Sequence, residues 1–180
     1  MTPSDELSFS VSPIVRVTLL SFYGALSFPL PFLAQTTDAP IPPLLLWLAI
    51  LLGFVLLWAI LGEKVLVNPE KIELVHPRWL PRPGWSLNWA QIKELKLRTT
   101  GQGGIVYYFV TQAQDRAYLL PMRIAGFSRL LKYVTAQTGL DTSDIRPLAQ
   151  PWMYFTLFLL SIFLWIFDIW VISLGGSLHK

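Results

Sequence analysis

Pro43 to Leu61 reads PLLLWLAILLGFVLLWAIL, nineteen residues without a single charge. At 1.5 Å of rise per residue such a helix covers nearly all of the roughly 30 Å hydrocarbon core of a bilayer. Two further apolar runs flank it at a distance. Trp152 to Leu174 carries one acid, Asp168, and four aromatic residues, Trp152, Tyr154, Trp165 and Trp170, of the kind that anchors spans at membrane interfaces. Val17 to Ala34 contains Ser21, Ser27, Pro29 and Pro31, and two prolines so close together should kink or end a helix near its far side. This run also reads as a signal peptide, with Arg16 as the charged flank and Ala34 before a cut. Phe32 stands where cleavage wants a small residue, which favours a retained span.

Twelve of the fourteen Lys and Arg residues fall between Gly62 and Pro151, against seven acids, a local balance of +5. The loop Gln35 to Pro42 has Asp38 and no basic residue. The positive-inside rule then places the N-terminal segment 1–16 and the large basic segment in the cytoplasm, with the tail Gly175 to Lys180 across the membrane. Composition agrees: 53% of residues are hydrophobic and only 14% charged, where soluble domains carry about 25% charged residues. The absence of cysteine excludes disulfides, thiolate metal sites, cysteine nucleophiles and thioether haem attachment.

From Lys64 the period changes from helical to short strands. Lys64 to Val67 and Lys71 to Val75 flank Asn68-Pro69-Glu70, a hairpin signal. In Trp85 to Trp89, the residues Trp85, Leu87 and Trp89 share one face, and Ile92 to Arg98 offers Ile92, Leu95 and Leu97 as a second apolar set. Gly101 to Gly104 should turn the chain into Ile105 to Thr111, a β-branched and aromatic run, and a further turn leads to Ala117 to Met122. After Pro121 the residues Ile124, Phe127, Leu130, Leu131, Val134 and Thr138 recur at three and four, with Arg123, Arg129 and Lys132 off the stripe and Gly139 fitting the C′ position. The expectation is a meander of about six strands closed by one helix, spanning residues 64–147.

That order resembles the bacterial pleckstrin-homology-like (PH-like) domains of small integral membrane proteins, over roughly Lys64 to Leu140. Three stretches carry the resemblance: KVLVNPEKIEL, a strand, turn and strand after a membrane span; SLNWAQIKELKL, with a short polar turn before an Ile; and YLLPMRIAGFSRLLKYV, a closing strand and helix. Together with the apolar runs, the resemblance gives the expectation of an α+β membrane protein with helices at 17–34, 43–61 and 152–174 and a PH-like domain inserted between the second and third. Two spans followed by a PH-like sheet domain are also similar, more loosely, to the PH-like photosystem I assembly factor of cyanobacteria and chloroplasts. By analogy, such a protein docks on a membrane complex, photosynthetic or respiratory, in a thylakoid or in a plasma or inner membrane.

Catalytic chemistry has little to stand on. The only histidines are His76 and His179, with no His or His-Glu pair at helical spacing for a metal. The serines lack a nucleophile-elbow pattern, and Gly101 to Gly104 precedes Ile105 rather than the lysine and hydroxyl of a phosphate-binding loop. No enzyme and no cofactor is expected. Nucleic acid is not expected either, because the positive charge is spread along strands and helix without an Arg-rich helix or an aromatic RNA-binding strand. Anionic lipid accounts for the same charge at about 1 kcal/mol per well-placed Lys or Arg.

Two features remain as site candidates. The loop HPRWLPRPGW, His76 to Trp85, combines three stiffening prolines with Arg78, Arg82, Trp79, Leu80 and Trp85, a mixture suited to a headgroup layer or a protein partner. Equally, Trp79 and Trp85 fit as lids on the sheet core with the arginines in water. Asp168, alone among apolar residues, reads as hydrated near the membrane surface or as a contact to a partner subunit. The leading expectation is a non-enzymatic accessory or assembly factor that docks on a membrane-protein complex. A lipid-headgroup or membrane-stress module is the first alternative, and a small transporter component the second.

Overall fold

The computed structural model describes residues 6–37, 40–99, 101, 105–113, 116–145 and 151–178, with the side chains of the last helix described over 152–174. Gln102 to Gly104 and His179 lie outside the described residues. In chain order the elements are β1 (Leu7–Ser10), α1 (Pro13–Ser27), α2 (Leu30–Thr36), α3 (Pro43–Ile60), β2 (Lys64–Val67), β3 (Lys71–Val75), β4 (Trp85–Asn88), a 3₁₀ turn (Trp89–Gln91), β5 (Ile92–Thr99), β6 (Ile105–Thr111), β7 (Ala117–Leu119), α4 (Phe127–Thr138) and α5 (Pro151–Leu178). They fall into two compact units, one of residues 6–12 and 62–145, the other of residues 13–61 and 151–178.

The first unit holds two open antiparallel sheets, ordered β1-β2-β3-β4 and β5-β6-β7. The β2–β3 turn forms because the Asn68 side-chain oxygen accepts hydrogen bonds from the backbone N–H of Glu70 (2.9 Å) and Lys71 (2.8 Å), a side-chain substitute for a backbone turn. The Trp89 indole N–H donates to the Asn68 carbonyl at 2.8 Å and locks that turn to the 3₁₀ segment. The inward set Val65, Val67, Ile72, Leu87, Trp89 and Phe109 is buried, and α4 lays Phe127, Leu130, Leu131 and Val134 on the same core. Gly126 and Gly139 bound α4 with φ of 75° and 70°, backbone that glycine enters without a Cβ clash.

Two features depart from the sequence pattern. The sheet gains a seventh strand, β1, whose Leu7 and Phe9 stand opposite Val67 and Val65. The alternation Leu7, Phe9, Val11 is the signal for it, although its partner lies beyond residues 11–63. In β5 the register shifts between Ile92 and Glu94. A bulge of this kind resets the alternation, so the buried Ile92 shares a face with the partly buried Leu95, while Leu97, further along that same face, is half exposed.

In the second unit three stretches, Pro13–Thr36, Pro43–Ile60 and Trp152–Leu174, are long and apolar enough to cross a membrane. The first is broken where the prolines require it: α1 ends at Ser27, and Pro29 caps α2, with Pro31 tolerated in its first turn. Polar groups within the unit bond to backbone carbonyls. Tyr23 donates to Ile50 at 2.9 Å, Ser161 to Leu157 at 2.8 Å, and the fully buried Thr18 reaches Tyr154 at 3.4 Å. Arg16 donates to the Leu61 carbonyl at 2.9 Å and lies 5.8 Å from the Trp58 ring, placing a cation at the negative end of α3. The outer faces of α3 and α5 leave Leu44, Leu52, Trp58, Phe163, Ile166 and Ile169 half or more exposed, surfaces that hydrocarbon would cover.

Candidate functional site

The loop between β3 and β4 is shaped by its prolines and by two short backbone bonds, Leu80 N–H to the Pro77 carbonyl (2.9 Å) and Arg82 N–H to the Leu80 carbonyl (2.7 Å). Its return into β4 runs through Gly84, where a Cβ would stand 2.0 Å from the Leu74 carbonyl oxygen. Only glycine lets the loop close that tightly on β3. The outcome for the five predicted residues is a division. Trp85 turns inward and packs on Tyr118 and Phe109, ring centres 5.3 and 6.2 Å away, while Leu80 is half-buried. Arg78 and Arg82 are exposed, and Trp79 presents 55% of its surface to the surroundings.

A shallow hollow of about 410 Å³ lies beside this loop, lined by Glu73, His76, Arg78, Leu80, Arg82 and Ser86 among others. The Glu73 carboxylate is already engaged: the Lys71 ammonium and the Ser86 hydroxyl (3.0 Å) donate to it, and the Lys71 bond above all holds it below the ordinary carboxylate range. Among the described residues neither Arg78 nor Arg82 joins an ion pair. Their charge is therefore available to an outside partner. His76 Nδ1 is buried in the wall without a hydrogen-bond partner.

A second polar surface, not anticipated from the sequence, lies on the outer face of β5–β7. Glu94, Lys96, Arg98, Tyr108 and Arg116 line a hollow of about 340 Å³, and the Arg98 guanidinium sits 5.9 Å from the Tyr108 ring centre. The signal was the even spacing of Glu94, Lys96 and Arg98 on one face of a strand. Among the described residues no three His, Asp or Glu side chains converge as a metal site.

Asp168 on α5 belongs to the second unit. It is 9% exposed, its Oδ2 has no hydrogen-bond partner, and it lines a hollow of about 550 Å³ between α2 and α5.

No protein-family model matches the chain, and no solved structure does. Over 161 residues it is 52% identical to the uncharacterized protein slr0269 of the cyanobacterium Synechocystis sp., an alignment that covers 87% of this chain and 81% of the other. The chain belongs to the family of that cyanobacterial protein.

Proposed function

We propose that this protein is a non-enzymatic integral membrane accessory or assembly factor, and that its sheet unit is a cytoplasmic PH-like domain that docks on a membrane-protein complex. The observation carrying the proposal is the β3–β4 loop, which holds two arginines with no ion pair among the described residues and an exposed tryptophan on a proline-stiffened backbone anchored by the inward Trp85. Exposed aromatic and arginine side chains on a pre-ordered scaffold lose little entropy on binding, and these residue types are enriched at interfaces. Two open antiparallel sheets, of four and three strands, with α4 packed on their core support the PH-like reading. Here the first strand precedes the first two spans. The cyanobacterial relative is compatible with a thylakoid location.

Pairing of β1 with β2 supports the membrane topology. Two strands of one sheet lie on the same side of a bilayer, so the chain between them crosses an even number of times. If Pro43–Ile60 crosses, Pro13–Thr36 crosses as well and is retained, since cleavage after Ala34 would remove β1 from the sheet. The basic balance of the sheet unit favours the cytoplasmic side for both.

Copurification tests the docking. A tagged full-length chain extracted in mild detergent should bring a membrane complex with it, and Arg78→Ala, Trp79→Ala and Arg82→Ala together should release that complex. A chain that migrates alone at native expression refutes the docking reading. The same exposed Trp79 between two arginines favours a second reading, recognition of anionic headgroups. In that case the full-length protein in nanodiscs would hold the loop against anionic lipid without any protein partner, and salt would release it.

A further inference from the structure

The hollow between α2 and α5 belongs to the second unit and has a composition of its own. Phe32, Leu33, Phe167 and Val171 give it apolar walls, Gln35 lies at its α2 side, and Asp168 is its one ionisable group. Asp168 is nine-tenths buried, and its Oδ2 is a buried acceptor with no donor. A buried polar atom left unpaired is costly, and more so in hydrocarbon. Among the described residues no donor makes good the deficit. Arg16 is the only basic residue of α1, α2, α3 and α5, and it is committed to the Leu61 carbonyl and the Trp58 ring.

From the geometry we infer that this hollow is a binding site for a membrane-dissolved amphiphile, with an apolar body and a head that donates a hydrogen bond to Asp168. The volume of about 550 Å³ falls in the ordinary range for small-molecule sites, roughly 300–1,000 Å³, and their pattern is apolar walls with a few placed polar groups. A partner helix is a poorer occupant, because it would meet a hollow rather than a continuous flat face. Hydroxyl and ammonium heads share the required chemistry, and the ammonium adds charge complementarity.

The test uses the full-length protein in phosphatidylcholine nanodiscs with three photoreactive probes of equal chain length: a long-chain alcohol, a long-chain amine and an alkane. Cross-links are mapped by mass spectrometry. Labelling of peptides containing residues 29–36 and 167–172 by the alcohol, the amine or both should exceed alkane labelling about tenfold, the ratio expected of one charge-assisted bond. Asp168→Leu should remove that preference. Val171→Trp, which fills the hollow and keeps the carboxyl, should lower labelling by all probes, and its unchanged melting temperature would show that the fold survives. Preference for the amine alone identifies a cationic ligand, and preference for the alcohol a neutral one. Equal labelling by alkane, a preference that survives Asp168→Leu, or disulfide cross-linking of two copies through Asp168→Cys would overturn the inference. The last outcome would instead place Asp168 at a contact between copies.

Discussion

Replacing Gly84 with alanine attacks the docking loop without altering any side chain it presents. The added methyl would lie 2.0 Å from the Leu74 carbonyl oxygen and 3.2 Å from the carbonyl carbon. Non-bonded heavy atoms settle at roughly 3.5 Å, so the loop and β3 must part by about 1 Å or more. The obstacle is backbone rather than a side-chain tip, and the adjacent ladder pair Leu74↔Trp85 takes the strain. Loss of one or two ladder bonds at about 1 kcal/mol each, together with overpacking of about 1–3 kcal/mol, gives a destabilisation of about 2–5 kcal/mol. For a domain of this size that lowers the melting temperature by on the order of 10 °C or more. Trp85 should also loosen from Tyr118 and Phe109, carrying Arg78, Trp79 and Arg82 out of register. The chain has no cysteine, so a fluorophore on Trp79→Cys reports the loop alone, while near-ultraviolet circular dichroism follows the sheet unit. Gly101→Ala is the matched control, since nothing lies within 4 Å of its added methyl. If Gly84→Ala melts like Gly101→Ala and leaves the Trp79 reporter unchanged, the close approach of loop and strand is refuted.

Three further outcomes are expected. Phe9→Ala, which truncates a side chain only 6% exposed in the β1 register, should destabilise the sheet unit by about 3–5 kcal/mol and increase proteolysis there. Glu73 has its carboxyl depressed mainly by the Lys71 hydrogen bond, so its contribution is fully present above the unfolded value of about pH 4.3 and is lost as pH falls through the lower folded value. Thermal melts of Glu73→Gln should accordingly lose part of the acid-side decline below that pH. Gly53→Ala would place a methyl 2.2 Å from the Tyr23 hydroxyl and eject it from the Ile50 carbonyl. It should cost about 1–3 kcal/mol in a detergent unfolding titration, with a smaller penalty in a Tyr23→Phe background that has already lost the bond.

Much of the architecture is legible because its signals are local. The turn chemistry of Asn68 acts over three residues, and the stripe of α4 repeats within one helix, so β2, β3 and α4 can be read directly from the chain. The break at Pro29 follows from proline's missing N–H. β1 is harder, since its partner is fixed only when the sheet forms and four residues of alternation are a weak pattern. The bulge in β5 likewise depends on its pairing with β6. In the docking loop, composition brings five residues together, but only packing separates Trp85, which finds Phe109 and Tyr118, from Trp79, which finds no such shelf. Asp168 is conspicuous as a single acid in an apolar run. Its hollow belongs to two helices far apart in sequence, and no spacing announces it.

Because β1 is made long before β2, the sheet cannot be completed while the chain is still short. Leu7 to Ser10 must remain without their β2 partner, with Phe9 uncovered, until residues 11–63, which hold two runs long and apolar enough to cross a membrane, have been synthesised. Closure of the sheet thus reports that the two runs have behaved alike, both crossing or neither. A chain in which one run alone has failed to enter leaves its first strand and the β2 edge on opposite sides of the membrane, each exposing backbone that proteases and chaperones recognise.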